Sequence, residues 1–123
     1  MDTNLTNLYV MTLYAGEAGV VRKVFRKKSD LKREFNTWID DLNDDDDIHV
    51  QSTYANNLDP SAKTVYGILF INEYYALGCV GWLSGSYEEV EKHFLNITGK
   101  ENSDVPIAEI DDSILYLSKF NLY

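Results

Sequence analysis

Three stretches of the chain alternate apolar and polar residues, the pattern of strands that bury one face: 5–14, 20–27 and 48–54. The first two are separated by a glycine-containing segment, residues 15–19, and are predicted to form a hairpin. Residues 64–71 and 74–83 are instead apolar at nearly every position, which is typical of a central hairpin covered on both faces and joined through residues 72–73. Three glycines within these two segments predict bulges or close backbone packing: Gly67, Gly78 and Gly81.

The first predicted hairpin is followed by a predicted amphipathic helix. Ser29 is predicted to cap this helix, because a serine side chain can accept a hydrogen bond from the backbone of the first turn. The apolar residues after it recur every three or four positions, as on one buried helix face: Leu31, Phe35, Trp38, Ile39 and Leu42. The unbroken run Asp44 to Asp47, here called the Asp run, then predicts a surface turn.

A second helix is predicted after the central hairpin. Ser86 with Glu89 three positions later forms a capping box, and Gly99 is a typical C-terminal stop. The residues predicted to face inward are Tyr87, Val90, Phe94 and Ile97. The hairpin-helix unit thus occurs twice, as expected of a ββα duplication, although residue-level similarity between the halves is faint.

The C-terminal segment, residues 113–123, alternates well enough for a final strand, which we favour. Its residues Ile114, Leu117 and Phe120 would also line one face of a short helix. The predicted fold class is α+β, with an antiparallel sheet of about five to six strands and two helices packed on one face. The length fits a single globular domain spanning residues 1–123.

Positive and negative charges are sorted along the chain. Through Arg33 there are 7 Lys/Arg and 3 Asp/Glu, whereas from Glu34 onward there are 4 and 17, which together give the net charge of −9. The crossover falls inside the first predicted helix, with lysines at its start and aspartates at its end. The helix dipole favours the opposite arrangement by roughly 0.3–1 kcal/mol per charge. Local helix stability therefore does not explain where these charges lie.

The composition predicts a folded protein without a targeting segment. Apolar residues make up 45% of the chain and charged residues 25%, which is globular rather than disordered. The first residues lack the basic and apolar regions of a signal peptide, and the lone Cys79 cannot form an internal disulfide. We therefore expect a cytoplasmic protein, in the host cytoplasm if it is encoded by a phage.

Catalytic chemistry is sparse in the sequence. Cys79 with His93 or His49 could form a thiol-imidazole pair, but Cys79 lies in the most apolar stretch, where a buried structural thiol is the ordinary interpretation. The sequence contains none of the nucleophile-elbow, zinc-protease, Walker or dinucleotide-binding motifs. We predict a protein that is not an enzyme and has no cofactor. An enzyme with an unmarked site around Cys79 and His93 is the rival class.

A metal site is not predicted either. Asp41, Asn43, Asp45 and Asp47 match positions 1, 3, 5 and 7 of a calcium-binding loop. The template then fails, because Asp46 stands where the loop needs glycine and Ser52 where it needs a bidentate glutamate. Loose association of divalent ions with the carboxylates is the simpler expectation.

Two electrostatic interpretations name different partners. The basic stretch from Arg22 to Arg33 could contact phosphates, but a net charge of −9 opposes binding to a polyanion. The favoured interpretation is that acidic side chains imitate a phosphate backbone toward a cationic surface of another protein. The predicted partner-binding residues are Asp40, Asp41, Asp44, Asp45, Asp46, Asp47, Glu88, Glu89 and Glu91. The plainest alternative is that the Asp run only keeps the protein hydrated and monomeric.

In size and composition, though in no motif, the chain resembles small acidic inhibitors encoded by phages and mobile elements, such as anti-CRISPR and antirestriction proteins. It is also similar in character to bacterial immunity proteins, which neutralise nuclease toxins through acidic surfaces. Both resemblances imply a non-enzymatic inhibitor that occludes a basic nucleic-acid-binding surface. The expected partner is a protein with a cationic surface, of the class of nucleic-acid-processing enzymes. Neither direct nucleic-acid binding nor a membrane is expected.

Overall fold

The computed structural model describes residues 5–14, 19–44, 46–72, 78–99, 107–110 and 112–123, with only the backbone for 107–110. The elements in chain order are β1 (Leu5–Tyr14), β2 (Val20–Phe25), α1 (Lys28–Ile39), β3 (Asp47–Asn56), β4 (Thr64–Ile71), β5 (Cys79–Ser84), α2 (Tyr87–Thr98), β6 (Ile107–Ile110) and β7 (Ser113–Asn121). The predicted α+β class is confirmed, and so is the final strand over residues 113–123. Residues 15–18 of the first predicted connection, residue 73 of the second and residues 74–77 of the predicted strand 74–83 lie outside the described residues.

The sheet differs from the prediction in strand number and in direction. It has seven strands in the order β2-β1-β3-β5-β4-β7-β6. The sheet is mostly antiparallel, as predicted, but it departs from the expected five to six antiparallel strands because β6 adds a short strand and because β3 and β5 run parallel. This parallel pair arises because β5 returns from its antiparallel pairing with β4 and meets β3 in the same direction. The packing of both helices on the same face of the sheet stays a prediction.

The sheet curls until two strands that are distant in its order approach each other. Val24 of β2 and Leu122, just after β7, form a parallel bridge. The N–H of Tyr123 donates to the carbonyl of Val24 at 2.9 Å, and the N–H of Arg26 donates to the carbonyl of Tyr123 at 3.2 Å. The curl encloses one buried cluster, which consists of Leu8, Val10, Val24, Ala55, Leu58, Val65, Val80 and Leu83.

α1 packs through Leu31 against Met11 of β1 and Phe25 of β2. The prediction of Ser29 as its cap was wrong, because the helix begins one residue earlier and Lys27 takes the cap position without a side-chain hydrogen bond. The buried stripe is also shorter than predicted. Ile39, the last helical residue, is exposed, so the helix end points away from the core.

α2 follows its prediction closely at both ends. The N–H of Glu89 donates to Ser86 Oγ at 3.3 Å, and Gly99 ends the helix in the left-handed region with φ 67°. Phe94 is buried with Ile68 and Leu115. The inward positions predicted for Tyr87 and Ile97 were wrong, because both residues are exposed at the helix ends.

The two serines allow a matched test of capping. Replacing Ser86 with alanine is expected to lower the free energy of unfolding by about 0.5–2 kcal/mol, because the N–H of Glu89 loses its acceptor. The Ser29→Ala variant is the control, since Ser29 lies within α1 and is exposed. Urea unfolding measures both effects. An equal loss in the two variants would contradict the assignment of the caps.

The chain consists of two similar halves. β2 and β5 begin at Val20 and Cys79, and α1 and α2 begin at Lys28 and Tyr87, so corresponding residues are 59 positions apart in both pairs of elements. In each half, the first strand lies between the second strand and the strand that follows the helix. The resulting orders are β2-β1-β3 and β5-β4-β7. Two parallel contacts join the halves: Ala55 with Leu83, and Leu122 with Val24. This arrangement supports the duplication expected from the sequence.

Candidate partner-binding surface

The turn between α1 and β3 carries most of the predicted acidic residues. This acidic turn comprises Asp40, Asp41, Asp44, Asp46 and Asp47; Asp45 lies outside the described residues. The turn is held by its own carboxylates, since Asp46 Oδ2 accepts from the N–H of Asn43 at 3.0 Å. His49 Nε2 lies 3.0 Å from Asp47 Oδ2, and this contact lowers the pKa of Asp47. The acidic turn therefore displays several carboxylates on a backbone that its own hydrogen bonds define.

An uncovered apolar surface begins next to the acidic turn. Val50 and Tyr54 share one face of β3 and are 49% and 55% exposed, while Trp82 of neighbouring β5 is 56% exposed. In the first half, α1 packs chiefly against β1 and β2 and leaves the exposed side of β3 open. In the second half, α2 packs against β4 and β5 and also contacts β7, the strand that corresponds to β3. We call Val50, Tyr54 and Trp82 the uncovered face. Large exposed apolar groups close together are a mark of interaction sites.

Trp82 has an unusual backbone conformation. Its φ is +54°, in the left-handed region that bulky residues rarely adopt. The pairing between β4 and β5 explains the strain, since its register shifts between Tyr66 and Ile68. This bulge confirms the irregularity predicted near Gly67, and it turns the indole outward while Leu83 stays in the core. Such strain costs on the order of 1–3 kcal/mol and clusters at functional sites.

The Trp82 ring forms one wall of a cavity of about 260 Å3 between β5 and α2. The ring centroids of Trp82 and His93 are 3.7 Å apart with a tilt of 40°. Within the described part of the chain, His93 Nε2 is buried without a hydrogen-bond partner. The indole therefore has one side against His93 and remains 56% exposed.

The second group of predicted acidic residues lies at the start of α2. Glu88 and Glu89 are exposed, and Glu89 Oε2 accepts from Asn57 Nδ2 at 2.6 Å, just beyond the end of β3. The acidic turn meets the opposite end of β3, and ten residues at about 3.3 Å each separate the two groups by roughly 30 Å. The uncovered face thus lies between two acidic groups.

Glu91 does not belong to either group. It lies beside Tyr87, whose pKa is raised by loss of hydration and by its hydrogen bond to Glu91. Tyr87 in turn stacks edge-on against Tyr66, with ring centroids 5.4 Å apart. The structure therefore brings most of the predicted acidic residues to the ends of β3 but leaves Glu91 on another side of α2.

Much of the basic stretch is engaged within the protein. Lys23 Nζ lies 2.6 Å from Glu34 Oε1, and Arg26 Nη2 donates to two backbone carbonyls, of Asp59 and Ala62, each at 2.8 Å. Arg22 Nε donates to Thr12 Oγ1 at 3.2 Å, and burial lowers the pKa of Arg22. These contacts weaken the hypothesis that the stretch binds phosphates.

Two lysines of the stretch remain close to the uncovered face. Lys28 and Lys32 of α1 line a groove of about 220 Å3 together with Tyr9 and Val50. Positive charge thus borders one side of an otherwise acidic region. A partner that covers the groove would need an apolar or acidic group at this point.

The candidate catalytic residues are dispersed by the fold. Cys79 is the first residue of β5 and is half-buried, His93 stacks on Trp82, and exposed His49 contacts Asp47. Among the residues that the structure describes, no group of three or more His, Cys, Asp or Glu side chains is arranged to hold a metal ion. The described helices also include none long and apolar enough to cross a membrane.

Comparison of the chain with protein-family models, with curated proteins and with solved structures found no match. The chemistry of the surface is therefore the basis for inferring function. The charge pattern of the sequence predicted the acidic part of this surface, but no pattern predicted the exposure of Val50, Tyr54 and Trp82. Gly81, a predicted site of irregularity, was the one sequence signal that pointed toward Trp82.

Proposed function

We propose that the protein is a non-catalytic binding protein that covers a cationic surface of a nucleic-acid-processing protein. One observation carries this proposal: the acidic turn continues directly into the uncovered face of β3 and β5. Charge at the edge and apolar groups at the centre are the two components of a protein-binding surface. The same residues would compete with a nucleic acid for the partner.

The two components have different roles. Asp40, Asp41, Asp44 and Asp47 are exposed, so their carboxylates attract a cationic partner over a distance of about one Debye length, roughly 8–10 Å in physiological salt. Exposed charge pairs add little affinity once formed, typically about 0–1 kcal/mol each. Trp82 and Tyr54 supply apolar contact, and aromatic residues of this kind dominate the energetics of many interfaces.

The placement of the charges supports a functional origin. Asp40 and Asp41 lie at the C-terminal end of α1, where the helix dipole makes each carboxylate unfavourable by roughly 0.3–1 kcal/mol. The strained backbone of Trp82 adds a second local cost beside the same strand pair. Two departures from local stability on one surface are expected of a binding site.

The proposal is tested by affinity capture with three baits. The parent chain is compared with the quadruple variant Asp44→Asn, Asp45→Asn, Asp46→Asn and Asp47→Asn, here called the neutralised variant. The control carries Asp30→Asn, Asp59→Asn, Glu91→Gln and Asp112→Asn, which removes the same four charges at other places. A cationic protein retained by the parent and the control, but lost by the neutralised variant, supports the proposal. Equal retention by all three baits, or capture of no cationic protein, contradicts it.

The identity of the captured protein also separates two forms of the same function. A nuclease of a defence system would make the chain an anti-defence inhibitor of the anti-CRISPR or antirestriction kind. A nuclease toxin would make it an immunity protein. Both forms place the same demands on the acidic turn and on the uncovered face.

A further inference from the structure

The two halves of the chain differ at one edge of the sheet. At the β2–β7 side, β7 has two neighbours besides β4: β2 near Leu122, and β6 along Ser113 to Tyr116. At the β3–β5 side, β3 meets β5 only at Ala55 and Asn56. Among the described residues, no strand pairs with the rest of that β3 edge. Among the described residues of the first half, β6 of the second half thus has no counterpart.

The position of the missing strand follows from the duplication. Val24 and Leu83 are equivalent residues, 59 positions apart, in β2 and β5. Leu122 pairs with Val24 and Ala55 pairs with Leu83, so Leu122 and Ala55 are equivalent too, and β3 and β7 are offset by 67 positions. The β7 residues that pair with β6 are 113–116. Their counterparts are residues 46–49, where the acidic turn enters β3.

The length of the connection between the helix and the following strand explains why only the second half has a strand such as β6. The offset is 59 positions for the helices but 67 for the strands that follow them, so the second half contains eight additional residues before its strand. β6 lies within this longer connection. The connection from α1 to β3 is too short to form a strand of its own.

Gln51 shows that β5 offers hydrogen-bonding groups across the same gap. Its carboxamide donates to the carbonyl of Val80 at 2.6 Å and accepts from the N–H of Val80 at 3.2 Å. A side-chain amide therefore occupies the place that a peptide group of an inserted strand would take. Two strands that were direct neighbours would instead pair backbone to backbone.

We propose that the β5-facing edge of residues 46–49 of β3 receives an extended basic segment of the partner, which pairs antiparallel as β6 pairs with β7. Asp44, Asp46 and Asp47 border this edge, so lysine or arginine at alternate positions of the segment would complement their charge. Addition of a strand to an open edge is a common mode of peptide recognition, with affinity supplied by main-chain hydrogen bonds. This inference rests on the proposed function, because it describes how the cationic partner would be engaged.

The test uses a ten-residue peptide of alternating lysine and valine with blocked ends. Its control is the same peptide methylated on alternate backbone nitrogens, which keeps the charge but removes the hydrogen-bond donors of one edge. Binding to the full-length isotope-labelled protein is followed through its backbone amide resonances and their exchange with solvent. We expect the unmodified peptide to bind at least roughly tenfold more tightly, with shifts and exchange protection concentrated at residues 46–49.

Three outcomes would overturn the inference. Equal binding of the two peptides would show a contact made by charge alone, and perturbation confined to other strands would place the segment elsewhere. Absence of binding up to millimolar peptide counts against strand addition as well. None of these outcomes removes the proposed function, which fails separately if the neutralised bait still captures the cationic protein.

Discussion

The neutralised variant is expected to associate with the captured partner roughly 10- to 100-fold more slowly than the parent at low ionic strength. Asp44 and Asp47 are exposed, Asp46 between them is half-buried, and all three belong to one short turn, so their fields add at the distance where the partner first approaches. Folding should be unaffected, because asparagine keeps the side-chain oxygen with which Asp46 accepts from Asn43. Stopped-flow mixing at several salt concentrations measures the association rate.

The salt dependence distinguishes steering from a general effect of charge. The parent rate should fall steeply as salt rises, whereas the rate of the neutralised variant should change little, because screening acts on the charges that it lacks. The control variant has the same net charge and should keep most of the parent's rate and salt dependence. If the neutralised variant binds as fast as the parent at low salt, the acidic turn is not the first point of contact.

Replacing Trp82 with glycine is expected to weaken partner binding by about 2 kcal/mol, roughly 30-fold in Kd, with little change in stability. The indole is 56% exposed and lines a surface cavity together with Tyr54, so its removal takes away an anchor rather than a core residue. Glycine adopts positive φ without strain, and this gain offsets the lost stacking on His93. Titration calorimetry and urea unfolding measure the two quantities.

The Tyr87→Ala variant is the matched control for Trp82. Tyr87 is an exposed aromatic residue that also stacks on a neighbouring ring, but that ring is Tyr66 of β4 and not a residue of the uncovered face. Its removal should leave the partner affinity nearly unchanged. A large loss of stability in Trp82→Gly without a loss of affinity would assign the indole to folding and not to binding.

The periodic parts of the fold were predictable from the sequence. Residues 64–71 form β4 as predicted, and Ser86 and Gly99 bound α2 as predicted, because local side-chain and backbone preferences decide these features. The start of α1 was predicted less well, since Lys27 takes the cap position that Ser29 could have filled. The parallel pairing of β3 with β5 depends on contacts distant in sequence, which no local pattern encodes.

The candidate surface was predictable only in its charged part. Aspartates in an unbroken run identify an exposed acidic turn whatever the fold is. Trp82 lies in a segment that is apolar at nearly every position, so its periodicity predicts burial on both faces. A bulge opposite Gly67 reverses the side of the sheet on which the indole lies, and such a shift depends on pairing with another strand.

The central claim is that the acidic turn and the uncovered face form one surface that binds a cationic protein. Hydrogen exchange of the chain, measured alone and in complex with the captured partner, tests this claim most directly. Slowed exchange at residues 40–54 and 80–83, with unchanged exchange in β2 and β7, is the predicted result. Protection that appears in β2 and β7 while residues 40–54 exchange as in the free chain would contradict it.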